Sequence, residues 1–334
     1  MMRLPKIDHV APSSVAEACA ILEKNGDSAV LLAGGTDLLV ACKLRNVKAS
    51  LLVSLKKVRE LREIKFDGRS GLSVGAMATL ADVKQHTAIQ QQYPALAQAA
   101  GLVGATQLQY MGTLGGNICL NTRCIYYNQS HTWRKSRAVC LKMGGDVCHV
   151  VHKGGTCYAV FSADTAPALI ALNAAVRLVG ASGERTIPLA QLYSGDGKAP
   201  IALRQGEILT EIMLPPPAEN ETSLYVKYRV RRAIDFPLAG VAVRMARGRR
   251  GTCEDCTVVV NAVASAPLVV QEVGDVLRGK EITPDLLAQA AEKAQAAARP
   301  VANVVGASPA YRRKMIGPLT KRALVSASQT RIRP

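Results

Sequence analysis

Leu31-Leu32-Ala33-Gly34-Gly35-Thr36-Asp37-Leu38 puts a glycine pair directly behind a short apolar run. Residues 29–32 read as a buried strand. The two glycines then let backbone amides approach an anion closely, with the Thr36 hydroxyl as a further donor. Alone, such a pair fits a plain tight turn better. A second loop, Gly112-Thr113-Leu114-Gly115-Gly116-Asn117, changes the balance, because two such cradles suit the two sides of a dinucleotide. Neither follows the G-x-G-x-x-G order of a Rossmann turn, so NAD is a poor candidate for these loops.

Around the first loop the chain reads as a small α/β module. Ser13 or Ser14 is placed to cap a helix whose apolar positions Val15, Ala18, Cys19 and Leu22 recur at helical spacing toward Gly26, and residues 51–55 read as another buried strand. A second unit begins near Gly71, with a strand at 72–75 and one helix over 80–91 capped by Thr79. Residues 165–171 read as helical or irregular, and a strand at 175–179 runs into a turn at 181–184. Pro215-Pro216-Pro217 marks a boundary. Beyond it, 223–230 and 257–263 alternate like antiparallel strands, and two helices close the chain, one from the Thr283 cap and Pro284 to Ala298, the other over 308–327. The expected fold class is α+β: subdomains at 1–60 and 61–217, with 120–160 as an insertion in the second, then a C-terminal α+β domain at 218–334.

Composition narrows the function. With 334 residues and 49% hydrophobic content the chain has room for two or three domains and a sizeable core. The formal charge of +17 invites a nucleic-acid reading, yet aromatic content is only 4%, with no stacking motif and no finger or helix-turn-helix spacing. No nucleic-acid partner is expected; acidic subunits or an acidic electron carrier suit such a basic face. The stretch from Met1 to His9 lacks the apolar run of a secretory signal, and the most apolar segment, 159–179, carries Asp164, Asn173 and Arg177. A cytoplasmic protein without membrane association is therefore expected. The nine cysteines, an odd number, then stay reduced and free to bind metal.

Four of them, Cys124, Cys140, Cys148 and Cys157, lie in the insertion just after the second glycine loop. Thiolates suit an iron-sulfur cubane, but gaps this long differ from a ferredoxin run, and spacing alone identifies nothing. Zinc is the rival, since His149 and His152 flank Cys148 and complete a possible tetrahedral set; unliganded packing thiols are the third reading. Arg134, Lys135, Arg137 and Lys142 face a single acid, Asp146, while Tyr126, Tyr127 and Trp133 either shield a metal group or form the insertion's own core. Cys119 reads as packing, and Cys253-x-x-Cys256, lacking a second pair, as a hairpin turn with two inert thiols. No Ser, His and acid arrangement supports nucleophilic catalysis, so no catalytic side chain is assigned.

The two loops, together with Ser162-Ala163-Asp164-Thr165-Ala166-Pro167-Ala168 and Ser308-Pro309-Ala310-Tyr311-Arg312-Arg313, resemble the FAD-binding medium subunits of the molybdenum hydroxylases, the xanthine dehydrogenase and carbon monoxide dehydrogenase relatives. The likeness covers nearly the whole chain and implies a PCMH-type FAD fold. It assigns the FAD pyrophosphate to residues 31–38 and to Thr113, Gly116 and Asn117; it sets Asp164 near the flavin's sugar and ring, and Leu209 and Lys227 beside the isoalloxazine. Most relatives lack the insertion. It resembles that of the 4-hydroxybenzoyl-CoA reductase branch, which implies a [4Fe-4S] cluster on the four cysteines. That branch also implies a small subunit with two [2Fe-2S] clusters, a large molybdopterin subunit, a dimer of heterotrimers and reduced ferredoxin as donor. Two competing expectations are an NAD-reducing FAD subunit of the xanthine dehydrogenase type, and a basic RNA-binding or assembly protein.

Overall fold

A computed structural model describes residues 3–248 and 251–330. Met1, Met2 and the last four positions of the expected C-terminal range, 331–334, lie outside the described residues. The strands form three sheets. In the first, β1 (Asp8–Val10), β2 (Ala29–Leu32) and β3 (Leu51–Ser54) run parallel in the order β1-β3-β2. Parallel strands need a crossover, and the helix Val15–Asn25 supplies it. Ser14 is its cap, accepting the Glu17 amide at 3.2 Å, and Ala18, Cys19 and Leu22 bury against Val53 and Leu55. The first glycine loop thus leaves the carboxyl end of β2, where open α/β sheets place their ligands.

The second sheet is antiparallel, with β4 (Ile64–Asp67), β5 (Gly71–Gly75), β6 (Ala175–Gly180), β7 (Gly183–Pro188) and β8 (Ile208–Leu214) in the order β4-β5-β8-β6-β7. The single helix expected over 80–91 is instead two, Leu80–Gln85 and Thr87–Gln92. Thr79 and Asp82 form a capping box at the start of the first, and His86, extended at ψ 120°, breaks the run. Helices Pro94–Leu102 and Thr106–Met111 follow and lead into the second glycine loop.

The third sheet, also antiparallel, has the order β12-β11-β10-β9, from β9 (Glu221–Tyr228), β10 (Ala239–Arg247), β11 (Cys253–Asn261) and β12 (Leu268–Val269). Helices Gln271–Leu277, Pro284–Ala297 and Pro309–Gln329 contribute to the core on one face, against Val241, Val243, Met245, Val258 and Val260. Tyr225, Ala242 and Val259 belong instead to the core of the second sheet, so this sheet is buried on both faces. Two bonds reinforce that contact: Tyr93 donates to the Pro215 carbonyl at 2.8 Å, and the Tyr225 amide to Gln98 at 2.9 Å. Cys253 and Cys256 do not sit in a hairpin turn as expected. They lie within β11, buried in the core. At the C-terminal end Arg312 is fully buried and donates to the carbonyls of Leu238, Val301 and Ala262 and to Asn303 Oδ1. Burial lowers its pKa to about 10, so it keeps its charge at neutral pH.

Candidate functional site

The two glycine loops meet. A Cβ on Gly34 would lie 2.0 Å from the Met111 carbonyl oxygen, and Gly35 takes a φ of +74°, so the first loop needs glycine at both positions for different reasons. The second loop is held by main-chain bonds from the Leu114 amide to Ala78 and from Gly115 to Ala76, both 2.9 Å. Thr113 caps the short helix Leu114–Ile118, its hydroxyl accepting the Gly116 amide at 3.1 Å. Asn117 Oδ1 accepts both the Thr165 hydroxyl, at 2.6 Å, and the Thr165 amide, which ties the loop to the helix Thr165–Ala171.

Between the loops opens a largely apolar cleft of about 720 Å³, a size usual for cofactor sites. Leu31, Ala33, Gly34, Gly35, Thr36, Asp37 and Leu38 line it from one side; Thr113, Gly116 and Asn117, with Asp164 and Leu209, line it from the other. Two residues of the expected set do not line it. Leu32 is the last residue of β2, and Lys227 is buried behind Asp164, its Nζ 2.7 Å from Asp164 Oδ2 and 2.8 Å from the Leu102 carbonyl. The other Asp164 oxygen accepts from the Tyr225 hydroxyl at 2.7 Å. Burial pushes the Asp164 carboxyl up, against the pull of Lys227, and pushes the Lys227 ammonium down. The pair therefore bonds a residue of the cleft wall to the third sheet.

Arg123, which the sequence did not single out, projects into this cleft. Its guanidinium pairs with Asp37 and lies 4.1 Å from the Phe236 ring centroid. Burial lowers its pKa to about 10, and its Nε is buried without a partner among the described residues. An orphaned donor, two glycine turns and an apolar chamber fit an anionic dinucleotide such as FAD. Cys119 borders the same cleft, and burial alone pushes its thiol up to about 12.

The insertion begins at the next residue. Cys124, Cys140, Cys148 and Cys157 all border one small cavity of about 20 Å³, room for roughly one water. A bridge that pairs Cys140 with Val147 shapes one side of this pocket, and the insertion also carries a short helix, His131–Lys135. Backbone amides of Tyr126 and Tyr127 bond Cys124, that of Val151 lies 3.5 Å from Cys148 Sγ, and that of Ala159 bonds Cys157. Burial nonetheless pushes the Cys124 and Cys157 thiols up. Among the described residues no three His, Cys, Asp or Glu side chains converge on a single ion position. His149 Nε2 lies 2.8 Å from the Ala138 carbonyl, its ring stacked on Tyr126; His152 is exposed and absent from the pocket wall. The donor set at this pocket is thus four thiols, three of them with a neighbouring backbone amide, and His152 does not join it.

Of the basic residues in the insertion, Lys135 and Arg137 are exposed, with Arg137 over the Trp133 ring at 4.1 Å. Arg134 is buried and donates to the carbonyls of Tyr127, Gln129 and Leu44, fastening the insertion to the first module. Lys142 is half-buried in the pocket wall, and burial lowers its pKa to about 8 against the pull of nearby thiols and Asp196. Asn303 anchors the other side: its carbonyl accepts the Ile125 amide at 3.0 Å, and its side chain donates to Tyr158.

Residues 5–217 match the FAD binding domain in molybdopterin dehydrogenase, and residues 225–327 match the CO dehydrogenase flavoprotein C-terminal domain. The chain belongs to this family of FAD-binding medium subunits. It is 31% identical to the carbon monoxide dehydrogenase medium chain of Hydrogenophaga pseudoflava, over 97% of each chain. It is 26% identical to a xanthine dehydrogenase FAD-binding subunit of Escherichia coli, over 78% of this chain and 75% of that one. A solved carbon monoxide dehydrogenase chain from Hydrogenophaga pseudoflava superposes with a TM-score of 0.80 at 29% identity, covering 98% of both. The α+β, PCMH-type fold with its C-terminal domain, the binding of FAD and the place of this subunit in an oxidoreductase follow from that membership. Among the described residues no helix is long and apolar enough to cross a membrane.

Proposed function

We propose that this chain is the FAD- and [4Fe-4S]-bearing electron-transfer subunit of a molybdenum-containing 4-hydroxybenzoyl-CoA reductase. The observation that carries the reading is the meeting of Cys124, Cys140, Cys148 and Cys157 at one pocket, with Cys124 directly following an arginine that lines the FAD cleft. Thiolates held by backbone amides suit a cluster that exchanges single electrons, and bound FAD supplies one- and two-electron chemistry. The protein's own part is to seat both groups. Residues 31–38, Thr113, Gly116 and Asn117 would hold the FAD pyrophosphate. Asp164 and Leu209 would border its sugar and ring, and Lys227 would act through Asp164. The ranges 1–60 and 61–217 would carry the flavin, and 218–334 would cover it.

The partners follow from the same reading. Its relatives include the medium chains of carbon monoxide dehydrogenases. A small subunit with two [2Fe-2S] clusters and a large molybdopterin subunit would complete a dimer of heterotrimers in the cytoplasm, with reduced ferredoxin as donor. Two electrons and two protons would convert 4-hydroxybenzoyl-CoA to benzoyl-CoA and water on the large subunit. Replacing Cys140 with Ser tests the cluster. Loss of about four irons per trimer with FAD retained supports it, and iron content equal to the parent complex overturns it.

A further inference from the structure

Lys142 links the wall of the cysteine pocket to that of the FAD cleft. Its Nζ donates to Asn121 Oδ1 and to Thr122 Oγ1, each at 2.8 Å, and to the Gly197 carbonyl. Asn121 borders the FAD cleft, whereas Lys142 borders the cysteine pocket. Thr122 is buried and donates to the same Gly197 carbonyl at 2.6 Å, so two of the three oxygens that receive the ammonium are tied to each other. On the pocket side the ammonium lies 5.0 Å from the Tyr127 ring centroid. All three hydrogen-bond partners are neutral oxygens, and among the described residues no carboxylate comes within ion-pair distance of Nζ. This half-buried cation therefore has no counter-charge in contact, and beside it stand four thiols.

We propose that Lys142 is the fixed counter-charge of a cluster bound by those cysteines, and that it raises the cluster's reduction potential. The inference rests on the cluster reading above and adds a role for a residue that is not a ligand. Reduction adds one negative charge to a site that is already anionic, so a nearby cation stabilises the reduced form more than the oxidised one. Because the ammonium is held by protein oxygens and only half exposed, salt screens it less than it screens a surface lysine.

The test uses the whole purified complex with Lys142→Gln, Lys142→Arg and Asn121→Asp, scored by iron, acid-labile sulfide and FAD content and by potentiometric titration of the cluster's EPR signal. Lys142→Gln should keep iron and FAD and shift the reduction equilibrium at least tenfold toward the oxidised form, 59 mV for a one-electron couple. Lys142→Arg should titrate with the parent. Asn121→Asp places a carboxylate against an intact Lys142 and should shift the potential in the same negative direction, which keeps the inference testable if the glutamine variant does not assemble. A parent-like midpoint in either Lys142→Gln or Asn121→Asp, with iron present, overturns the role of Lys142 and leaves the cluster standing. Absence of iron from the parent complex overturns the cluster reading itself.

Discussion

Replacing Gly34 with Ala should empty the flavin site without unfolding the chain. The added methyl would lie 2.0 Å from the Met111 carbonyl oxygen, 2.8 Å from its carbon and 2.9 Å from Gly112 Cα, all backbone atoms with no rotamer to escape into. The two loops must then separate by well over an ångström, and each contributes half of the proposed pyrophosphate cradle. Hydrogen bonds to a charged group contribute about 1.5–3 kcal/mol each. Losing one or two of them weakens FAD binding by about tenfold to ten-thousandfold. Gly68→Ala is the matched control, since a Cβ there meets nothing within 4 Å. Flavin content after gel filtration, and FAD titration of the stripped complex by fluorescence, read the effect directly. A Gly34→Ala complex that keeps full flavin with parent affinity would refute the claim that contact between these loops shapes the site.

Three further outcomes follow from buried charge. Arg312→Met leaves the carbonyls of Leu238, Val301 and Ala262 without their donor, which should cost about 3–5 kcal/mol and lower Tm; an unchanged melting curve would show that these bonds contribute nothing net. Asp164→Asn turns an amide NH₂ toward either Tyr225 or Lys227, both of which donate to the carboxylate, and should destabilise by a similar ~3–5 kcal/mol while loosening FAD; parent stability and flavin content would count against the network. Glu207 is held below its ordinary 4.5 chiefly by hydrogen bonds from Arg185, outweighing burial. A depressed carboxylate stabilises the fold above its unfolded pKa, and that stability is lost as pH falls through the folded pKa. Glu207→Gln should therefore lower stability at neutral pH and flatten the loss below about pH 4.5, which thermal melts across pH 3–7 would detect.

The parts of the fold legible in the sequence are those whose signals are local. Ser14 and Thr283 cap the helices they were expected to cap, and β2 runs straight into its glycine turn. β10 escaped notice because it is covered on both faces, so its residues do not alternate, and because Arg244 interrupts its apolar run. That arginine is tolerated in the core through Glu221 and Asp255 on the neighbouring strands, a compensation only the pairing of β9, β10 and β11 reveals. The break at His86 was hidden for the opposite reason: the residues on both sides keep helical composition, and only the backbone turn separates them.

The site divides along the same line. Glycine loops announce themselves because the conformations they permit are denied to other residues, whereas Arg123 reaches the cleft only through a partner, Asp37, that lies far back in the chain. The cysteine spacing left zinc, iron-sulfur and inert packing open, since long gaps carry no geometry. Orientation bears on only one of these readings, the histidine-completed site: His149 is taken up by the Ala138 carbonyl and Tyr126, and His152 stays outside the pocket. Lys142 sharpens the point. By sequence it is one of several basic residues in a loop, interchangeable with Lys135. By structure Lys135 is exposed and Lys142 is held by three oxygens between two pockets, so neutralising Lys142 should move a redox potential that neutralising Lys135 leaves in place.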